Sequence, residues 1–348
     1  MSPVTPHLAA RLVATLPVHA PLGHWVHVTE TGLFVVNTKD TVAAHDVEAL
    51  VAGRSEPVTF ALPARRRTAA AVSPDRGLAV FPTTHAVRAV GADSEILWEH
   101  RHPCWAYRCE KLHADAAEYA DDEWHRYPDC GSAAFSADGR HVWAHVPSGE
   151  HTQDWLVLDA STGALLARAD TGTAGHGSEH HPHAGRMGLS LALQSFTPLL
   201  WGRFDGSALH VEHAGGERGL LSVGAPVYLT LDDDRRRLAA HRLADDAVLG
   251  EVEPPGFMGV KAEDAHGDDE SFWHFDAVVV DGDTAVAPTN ESDVARGINR
   301  HWLVDIPSME LTPLTYPEEH GRLVALGGGR WITIGENDGV PRVWERVS

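Results

Sequence analysis

The chain has little cysteine and no long apolar run, and both shortages narrow what it can be. Its 348 residues include 3 cysteines, an odd number that argues against a secreted disulfide framework and for a reducing compartment. No run of about 18 apolar residues exists, so the sequence predicts no membrane-spanning helix. The N-terminal segment lacks a basic start, and Arg11 interrupts its short apolar run, which makes it a poor signal peptide. We therefore expect a cytoplasmic protein.

Basic residues are also scarce. Lys and Arg total 28 against 49 Asp and Glu, which leaves a net charge of −21 with histidine neutral. Such a surface repels nucleic-acid phosphates and anionic lipids, so we expect neither nucleic acid nor a membrane among the partners. A small molecule, a cationic peptide or a metal ion suits the charge better, although an acidic surface can also serve solubility alone.

Three familiar catalytic motifs are missing. The sequence contains no glycine-rich phosphate loop, no G-x-S-x-G nucleophile turn and no H-E-x-x-H zinc helix. A Ser/His/Asp triad stays open, because its members need not be close in sequence. What the chain has in excess is histidine, with 24 residues scattered from His7 to His320.

Short β-rich runs recur along the chain, and each is broken by a tight turn. The turns lie near Gly32, Arg76, Gly139, Gly185, Asp233, Gly282 and Gly328. Their spacings are 44, 63, 46, 48, 49 and 46 residues. A period in the mid-forties with about four strands per unit is typical of a β-propeller.

Three segments carry a family resemblance: AVSPDRGLAVF, AFSADGRHVWA and VLDASTGALLA. They resemble the hairpins of seven-bladed β-propellers of the WD-repeat-like and YVTN-like type, although the Trp-Asp and Gly-His dipeptides of true WD repeats are mostly missing. The resemblance covers nearly the whole chain and implies architecture alone. It implies an all-β, seven-bladed propeller over residues 1–348, with the N-terminal strand 8–18 joining the last blade. The expected blades are 19–62, 66–100, 130–172, 176–215, 219–253, 271–316 and 320–348.

Long insertions are expected on one rim of this propeller, where function usually lies. The largest, 101–129, accounts for the 63-residue interval between turns. Its Cys109–Trp124 part has helical composition and is predicted to form a lid over the mouth of the channel. Shorter insertions cover Thr171–Glu179, Pro254–Glu270 and Pro288–Arg300.

Histidines recur at the predicted mouth. His24, His274 and His320 each stand eight residues before a turn glycine, at the expected start of an innermost strand. Neutral imidazoles from several strands suit Zn, Fe, Cu or Mn, so these three are candidate metal ligands, with His176 and His181 nearby. Glu270, Glu319 or Glu179 would serve as the base or would orient a ligand. Such histidines can equally hydrogen-bond to the backbone, or recognise a ligand without metal.

A second metal site is conceivable in the large insertion. Cys104, Cys109, His113 and Cys130 follow the pattern C-x4-C-x3-H-x16-C, which could fold around a structural zinc. The first spacing is looser than the common C-x2-C, and buried free thiols are the competing interpretation.

Two functions follow from these observations. The leading one is a monomeric intracellular enzyme, a lyase, hydrolase or oxygenase, acting on a small molecule or peptide at the histidine-rich mouth with help from a metal. The alternative is a propeller without enzymatic activity that binds a partner protein or peptide.

Overall fold

The protein is described by a computed structural model. The residues it describes are 8–20, 25–38, 41–61, 70–106, 109, 111–125, 131–149, 152–173, 175, 177–183, 185–192, 198–214, 218–256, 271–291 and 300–347. Contacts divide the chain into two compact units. The first unit contains Met1–Gly23, Glu48–Ser55 and Arg218–Ser348, and the second contains His24–Val47 and Glu56–Glu217.

Nearly all regular structure is β. The strands in chain order are β1 (Leu8–Thr15), β2 (Trp25–Val28), β3 (Leu33–Asn37), β4 (Thr41–Asp46), β5 (Val58–Ala61), β6 (Ala71–Val72), β7 (Leu78–Pro82), β8 (Ala86–Gly91), β9 (Ile96–Arg101), β10 (Ala133–Phe135), β11 (His141–Pro147), β12 (Gln153–Asp159), β13 (Leu165–Asp170), β14 (Gly177–His183), β15 (Arg186–Ala192), β16 (Leu199–Phe204) and β17 (Leu209–His213). They continue with β18 (Arg218–Gly224), β19 (Val227–Asp232), β20 (Leu238–Arg242), β21 (Val248–Val252), β22 (Ser271–Trp273), β23 (Val278–Asp281), β24 (Thr284–Glu291), β25 (Arg300–Asp305), β26 (Glu310–Thr315), β27 (Gly321–Gly327), β28 (Arg330–Gly335) and β29 (Pro341–Arg346). A short helix, α1 (Val47–Val51), follows β4.

The second unit consists of four-stranded antiparallel sheets in sequence order. They are β2-β3-β4-β5, β6-β7-β8-β9, β10-β11-β12-β13 and β14-β15-β16-β17. Each is a meander, because strands that follow one another in the chain are neighbours in the sheet. Glycines with positive φ permit two of these turns, Gly32 at +80° and Gly139 at +70°.

The first unit repeats this pattern and adds the N-terminal strand. One sheet has the order β18-β19-β20-β21, and a nine-stranded sheet has the order β22-β24-β25-β26-β1-β29-β28-β27, with β23 also paired to β24. Strand β1 pairs antiparallel with β29 (Ala10↔Arg346) and parallel with β26 (Leu8↔Leu314). The N-terminal strand thus joins the last sheet, as expected, whereas seven blades and a closed ring stay predictions.

Burial follows the position of a strand within its sheet. All five residues of β3, LFVVN, are buried, whereas β13, LLARAD, has no buried residue and alternates at its end. Inner strands are covered on both faces by neighbouring sheets, and such strands read as continuous apolar runs. In the second unit, Val80 and Val87 pack with Val142 and Leu158 in one core cluster between successive sheets. Each such side chain contributes about 1.5–3 kcal/mol to folding.

Tryptophans on third strands are tied to the second strand of the same sheet. The Trp302 indole N–H donates to Thr289 Oγ1 at 3.1 Å, and the Trp344 indole N–H donates to Thr333 Oγ1 at 2.7 Å. A buried N–H without an acceptor costs about 1–3 kcal/mol, so these threonines let large side chains fill the core.

The expected turn near Asp233 is present and joins β19 to β20. One expectation about local structure was wrong. The segment Cys109–Trp124 is not one helix, since its regular parts are two 3-10 turns, Ala116–Tyr119 and Glu123–His125. The helix is interrupted because the rings of His113 and His125 lie 5.3 Å apart, which one continuous helix would not allow.

Candidate metal centre

The segment that follows β9 is anchored to the second sheet through its backbone. His102 N–H donates to the His85 carbonyl at 3.0 Å, and Trp105 N–H donates to the Thr84 carbonyl at 2.8 Å. These bonds hold the chain against the turn between β7 and β8. They therefore fix where Cys104, which lies between them, points its thiol.

The Sγ atoms of Cys104 and Cys109 lie within 4.8 Å of each other. Cys104 is buried, and its Sγ accepts a hydrogen bond from Ala106 N–H at 3.3 Å. Cys109 is half-buried, and its N–H donates to the Ala106 carbonyl at 2.9 Å. Neither forms a disulfide. A backbone N–H directed at a sulfur favours the thiolate form, which is the form that binds a metal.

His113 presents one ring nitrogen to Cys109 and the other to a carboxylate. Its Nε2 lies 3.3 Å from Cys109 Sγ, and its Nδ1 lies 3.0 Å from Glu118 Oε2. The other Glu118 oxygen accepts from Ala114 N–H at 2.9 Å, so the carboxylate is held in place. The hydrogen bond with His113 is the main reason why the pKa of Glu118 is lowered. A carboxylate at Nδ1 keeps the proton there and leaves the Nε2 lone pair for a metal.

His125 repeats this arrangement. Its Nδ1 lies 3.0 Å from Asp122 Oδ2, and its ring nitrogens are buried without a well-aligned hydrogen bond among the described residues. Its ring stacks on Tyr119 at 4.7 Å and meets His113 edge-on at 5.3 Å. In one helix, residues 113 and 125 would be about 18 Å apart along the axis, so the chain must fold back to bring these rings together.

The four side chains form a set of donor atoms. One ligand atom each from Cys104, Cys109, His113 and His125 lies within 4.8 Å of the other three. Tetrahedral zinc, with bonds of about 2.3 Å to sulfur and 2.05 Å to nitrogen, separates its S and N ligands by about 3.6 Å. The 3.3 Å between Cys109 Sγ and His113 Nε2 is close to that value. The arrangement can hold a divalent transition metal.

An outer layer supports the cluster. Tyr119 meets His113 edge-on at 4.8 Å, and its hydroxyl lies 2.6 Å from His85 Nδ1. Arg88 lies 3.4 Å from His85 Nε2 and bonds to Glu99 at 2.6 Å. Because Arg88 can only donate, His85 carries its proton on Nδ1 and donates to Tyr119. Burial, with the Arg88 charge, lowers the pKa of His85.

Sequence spacing singled out three of these four side chains, Cys104, Cys109 and His113. Cys130, expected as the fourth, lies outside the described residues, and His125 stands beside the other three. The available signal was the acidic residue close to each histidine, Glu118 for His113 and Asp122 for His125, because ligand histidines usually donate to a carboxylate.

The histidines expected at the mouth are only partly placed. His24 and His176 lie outside the described residues. His320 directly precedes β27, as expected, but His274 follows β22 and so lies within an interruption of its strand, not at its start. The ring of His320 lies 4.9 Å from that of His301, which the sequence did not single out. Burial, followed by the charges of His320 and His274, lowers the pKa of His301 well below its usual value. His181 is buried on β14, with Nε2 3.3 Å from Ser190 Oγ.

The carboxylates expected to act as bases have other surroundings. Glu319 Oε1 accepts from the backbone N–H of Asn337 at 2.8 Å and from its side-chain amide at 3.0 Å. Glu179 is exposed on β14, and Glu270 lies outside the described residues.

A serine–histidine pair on the third and fourth sheets has the wrong protonation for catalysis. Ser132 Oγ lies 2.7 Å from His180 Nδ1, and the Trp155 indole N–H donates to His180 Nε2 at 2.8 Å. An indole can only donate, so Nε2 holds the lone pair and Nδ1 holds the proton. His180 therefore donates to Ser132 and cannot take its proton, which makes this pair structural.

Comparison with known proteins supports the fold and nothing finer. No protein-family model matches the chain, and no curated protein matches its sequence. Among solved structures, BamB from Moraxella catarrhalis is 12% identical over 98% of this chain and 100% of its own, with a TM-score of 0.51. The WD40 domain of SCAP from fission yeast is 10% identical over 97% and 95%, with a TM-score of 0.50. Hsv2 from Kluyvelomyces marxianus is 9% identical over 92% and 90%, with a TM-score of 0.52.

The fold is a β-propeller of the WD-repeat-like type, as the sequence segments indicated. Helices long and apolar enough to cross a membrane are not found among the described residues.

Proposed function

We propose that this chain is a zinc-binding β-propeller in which the metal fixes residues 101–125 as a recognition element for a basic partner protein or peptide. The convergence of Cys104, Cys109, His113 and His125 within 4.8 Å carries this proposal. Cys104 and His113 are buried, and a ligand atom of each lies within 4.8 Å of the other. A metal ion bound between them would explain why these two polar groups are buried together.

Zinc is the metal that this donor set favours. Two thiolates and two imidazoles suit tetrahedral Zn²⁺, and four protein ligands leave no open position for a substrate. The role is then structural. Binding free energy of a structural zinc becomes folding free energy, on the order of 10 kcal/mol in small zinc domains. Here it would order a segment whose described residues after β9 form two short 3-10 turns as their regular structure.

The partner is inferred from what the segment exposes. Its exposed acidic side chains are Asp115, Glu118, Asp121, Asp122 and Glu123. Leu112 is 64% exposed beside them and could contact an apolar group. Together with the net charge of −21, this favours a Lys- or Arg-rich peptide over an acidic one.

The metal is tested on protein purified without a tag. We expect one zinc per chain by elemental analysis, and its loss from Cys109→Ser and from His125→Ala. Lys111→Ala is the matched control, because Lys111 is exposed in the same segment and binds no metal. Chelation should accelerate proteolysis within 101–129. Zinc that persists in both ligand variants, or equal protease resistance with and without chelator, would contradict the proposal.

The partner class is tested separately. Zinc-loaded protein should bind Lys/Arg-rich peptides more tightly than Asp/Glu-rich ones, with an affinity that falls as salt rises. Asp121→Asn with Glu123→Gln should weaken this binding and leave the zinc content unchanged. A protein that holds zinc but shows no charge preference would keep the metal site and end the partner proposal.

A metal-assisted enzyme remains the second candidate. The observation in its favour is geometric: the His320 ring lies 4.9 Å from the ring of the buried His301, and the backbone N–H of His274 donates to Pro288, which pairs with His301. Loss of a measurable hydrolase, lyase or oxygenase activity on replacing His274 or His320, with the zinc at Cys109 retained, would favour it. Activity that is absent from metal-loaded protein across these reaction classes would count against it.

A further inference from the structure

The first unit contains a second group of metal-ligating side chains, separate from the cysteine cluster. Three imidazoles belong to it: His274 between β22 and β23, His301 on β25 and His320 before β27. The rings of His301 and His320 are 4.9 Å apart and nearly perpendicular. Asp276 adds a carboxylate, 3.4 Å from His274 Nδ1.

The two ring nitrogens of His301 have different surroundings. The Trp331 indole N–H donates to the Tyr316 hydroxyl oxygen at 3.1 Å. The same hydroxyl lies 2.8 Å from His301 Nδ1 and hydrogen-bonds with it. His301 Nε2 is a buried atom that forms no well-aligned hydrogen bond within the described residues. The His274 Nδ1 atom is buried in the same way.

The two buried nitrogens, His301 Nε2 and His274 Nδ1, lack well-aligned hydrogen bonds among the described residues, and a third imidazole and a carboxylate lie close to them. A buried polar atom left unpaired carries a free-energy cost, because it loses its hydrogen bonds to water on folding. A ligand that accepts several nitrogen lone pairs and one carboxylate oxygen removes this cost at once, and divalent first-row metals do so.

We infer that His274, His301, His320 and Asp276 form a second metal site, one with nitrogen and oxygen ligands and room for a further ligand. Metal binding at His301 Nε2 holds the ring proton on Nδ1, which donates to Tyr316. The Tyr316 oxygen has two lone pairs and can accept from both Trp331 and His301. Tyr316 thus orients the ligand histidine, as carboxylates and carbonyls do in other metal sites.

The site closes on binding. Among the described residues, a set of donor atoms within 4.8 Å of one another occurs at the cysteine cluster and not around His301. His274 lies in the irregular stretch between two strands, and His320 lies in the loop before β27, where its ring stacks on Tyr316 at 4.4 Å. Metal binding would turn both rings toward His301 on β25.

Cobalt(II) distinguishes the two sites, because thiolate ligands give charge-transfer absorption that imidazole and carboxylate ligands do not. Chelator-treated wild-type protein should bind two Co²⁺ per chain, one of them with charge-transfer absorption. Cys104→Ser with Cys109→Ser should retain one Co²⁺ and lose that absorption. His274→Ala with His320→Ala should retain the thiolate-bound ion alone.

A third variant tests the tautomer argument. Tyr316→Phe should weaken the nitrogen–oxygen site about 10- to 100-fold and leave the thiolate site unchanged. His213→Ala, an exposed histidine on β17, controls for adventitious binding by the many histidines. If one Co²⁺ is bound by wild type, or if the second ion survives His274→Ala with His320→Ala, the inference is wrong whatever happens at the cysteines. If the cysteine variant is misfolded by circular dichroism, the histidine double variant and the wild-type stoichiometry still decide.

Discussion

The protein should lose stability in mild acid because histidines are buried in their neutral form, and His145 allows this to be measured for one residue. His145 lies on β11 at 1% exposure. Burial lowers its pKa to about 3, with Gln153 opposing and His102 adding to the shift. In the unfolded chain its pKa is about 6.5.

The direction in which acid changes the free energy of unfolding follows from proton binding. Below about pH 6.5 the unfolded chain takes up a proton on His145 that the folded protein refuses, so acid favours unfolding until the pH reaches about 3. Each pKa unit is worth about 1.36 kcal/mol. Between about pH 7.5 and 5, where the unfolded residue is nearly fully protonated, the loss amounts to about 2 kcal/mol, and by about pH 4 it reaches about 3 kcal/mol. Total stabilities are about 5–15 kcal/mol, so one residue is a measurable part.

The assay is urea unfolding followed by tryptophan fluorescence, for wild type and His145→Gln, at several pH values. The variant should lose about 2 kcal/mol less than wild type between about pH 7.5 and 5, at equal m-values. Loss of a metal in acid affects both proteins equally and cancels in the difference. His213→Gln, at an exposed position, should follow wild type. Parallel pH profiles for His145→Gln and wild type would refute the reasoning.

Three further predictions concern single features. Deleting residues 1–18 removes β1 and its pairing with β29 and β26, so the truncated protein should aggregate through its exposed strand edges; an unchanged melting temperature and a monomeric state in gel filtration would contradict this. A Cβ at Gly131 would overlap the His145 carbonyl oxygen and the Trp105 ring, so Gly131→Ala should destabilise by several kcal/mol, about 2–4. Gly256→Ala, where no atom lies within 4 Å of the added carbon, is its control, and equal midpoints in urea for both variants would be the contrary result. Glu118→Gln removes the charge and leaves one oxygen to accept from either His113 or Ala114, so it should lower zinc affinity about 10-fold in a chelator competition, whereas unchanged affinity would place Glu118 outside the site.

Local pattern was sufficient to predict the strands and most turns. Runs such as LFVVN and VFP are buried strands because their apolar residues must be covered on both faces, and Gly32 and Gly139 permit the turns by adopting positive φ. The run DDDRRR likewise contains a turn, but which two strands that turn joins, β19 and β20, depends on the pairing of β18 with β19.

The sequence alone also identified the ligand types at the candidate metal centre, because Cys104, Cys109 and His113 lie within ten residues of one another and share one short path of the chain. It did not identify His125, which reaches the cluster only after the chain reverses between two 3-10 turns. Nor did it identify His301, which lies on β25. Its ring is 4.9 Å from that of His320, which precedes β27, and this contact depends on how the two strands pack. Strand formation depends on neighbours along the chain, and these follow from the residue order. The meeting of side chains from separate segments depends on loop paths and on packing between sheets, so only the tertiary structure decided which histidines came together.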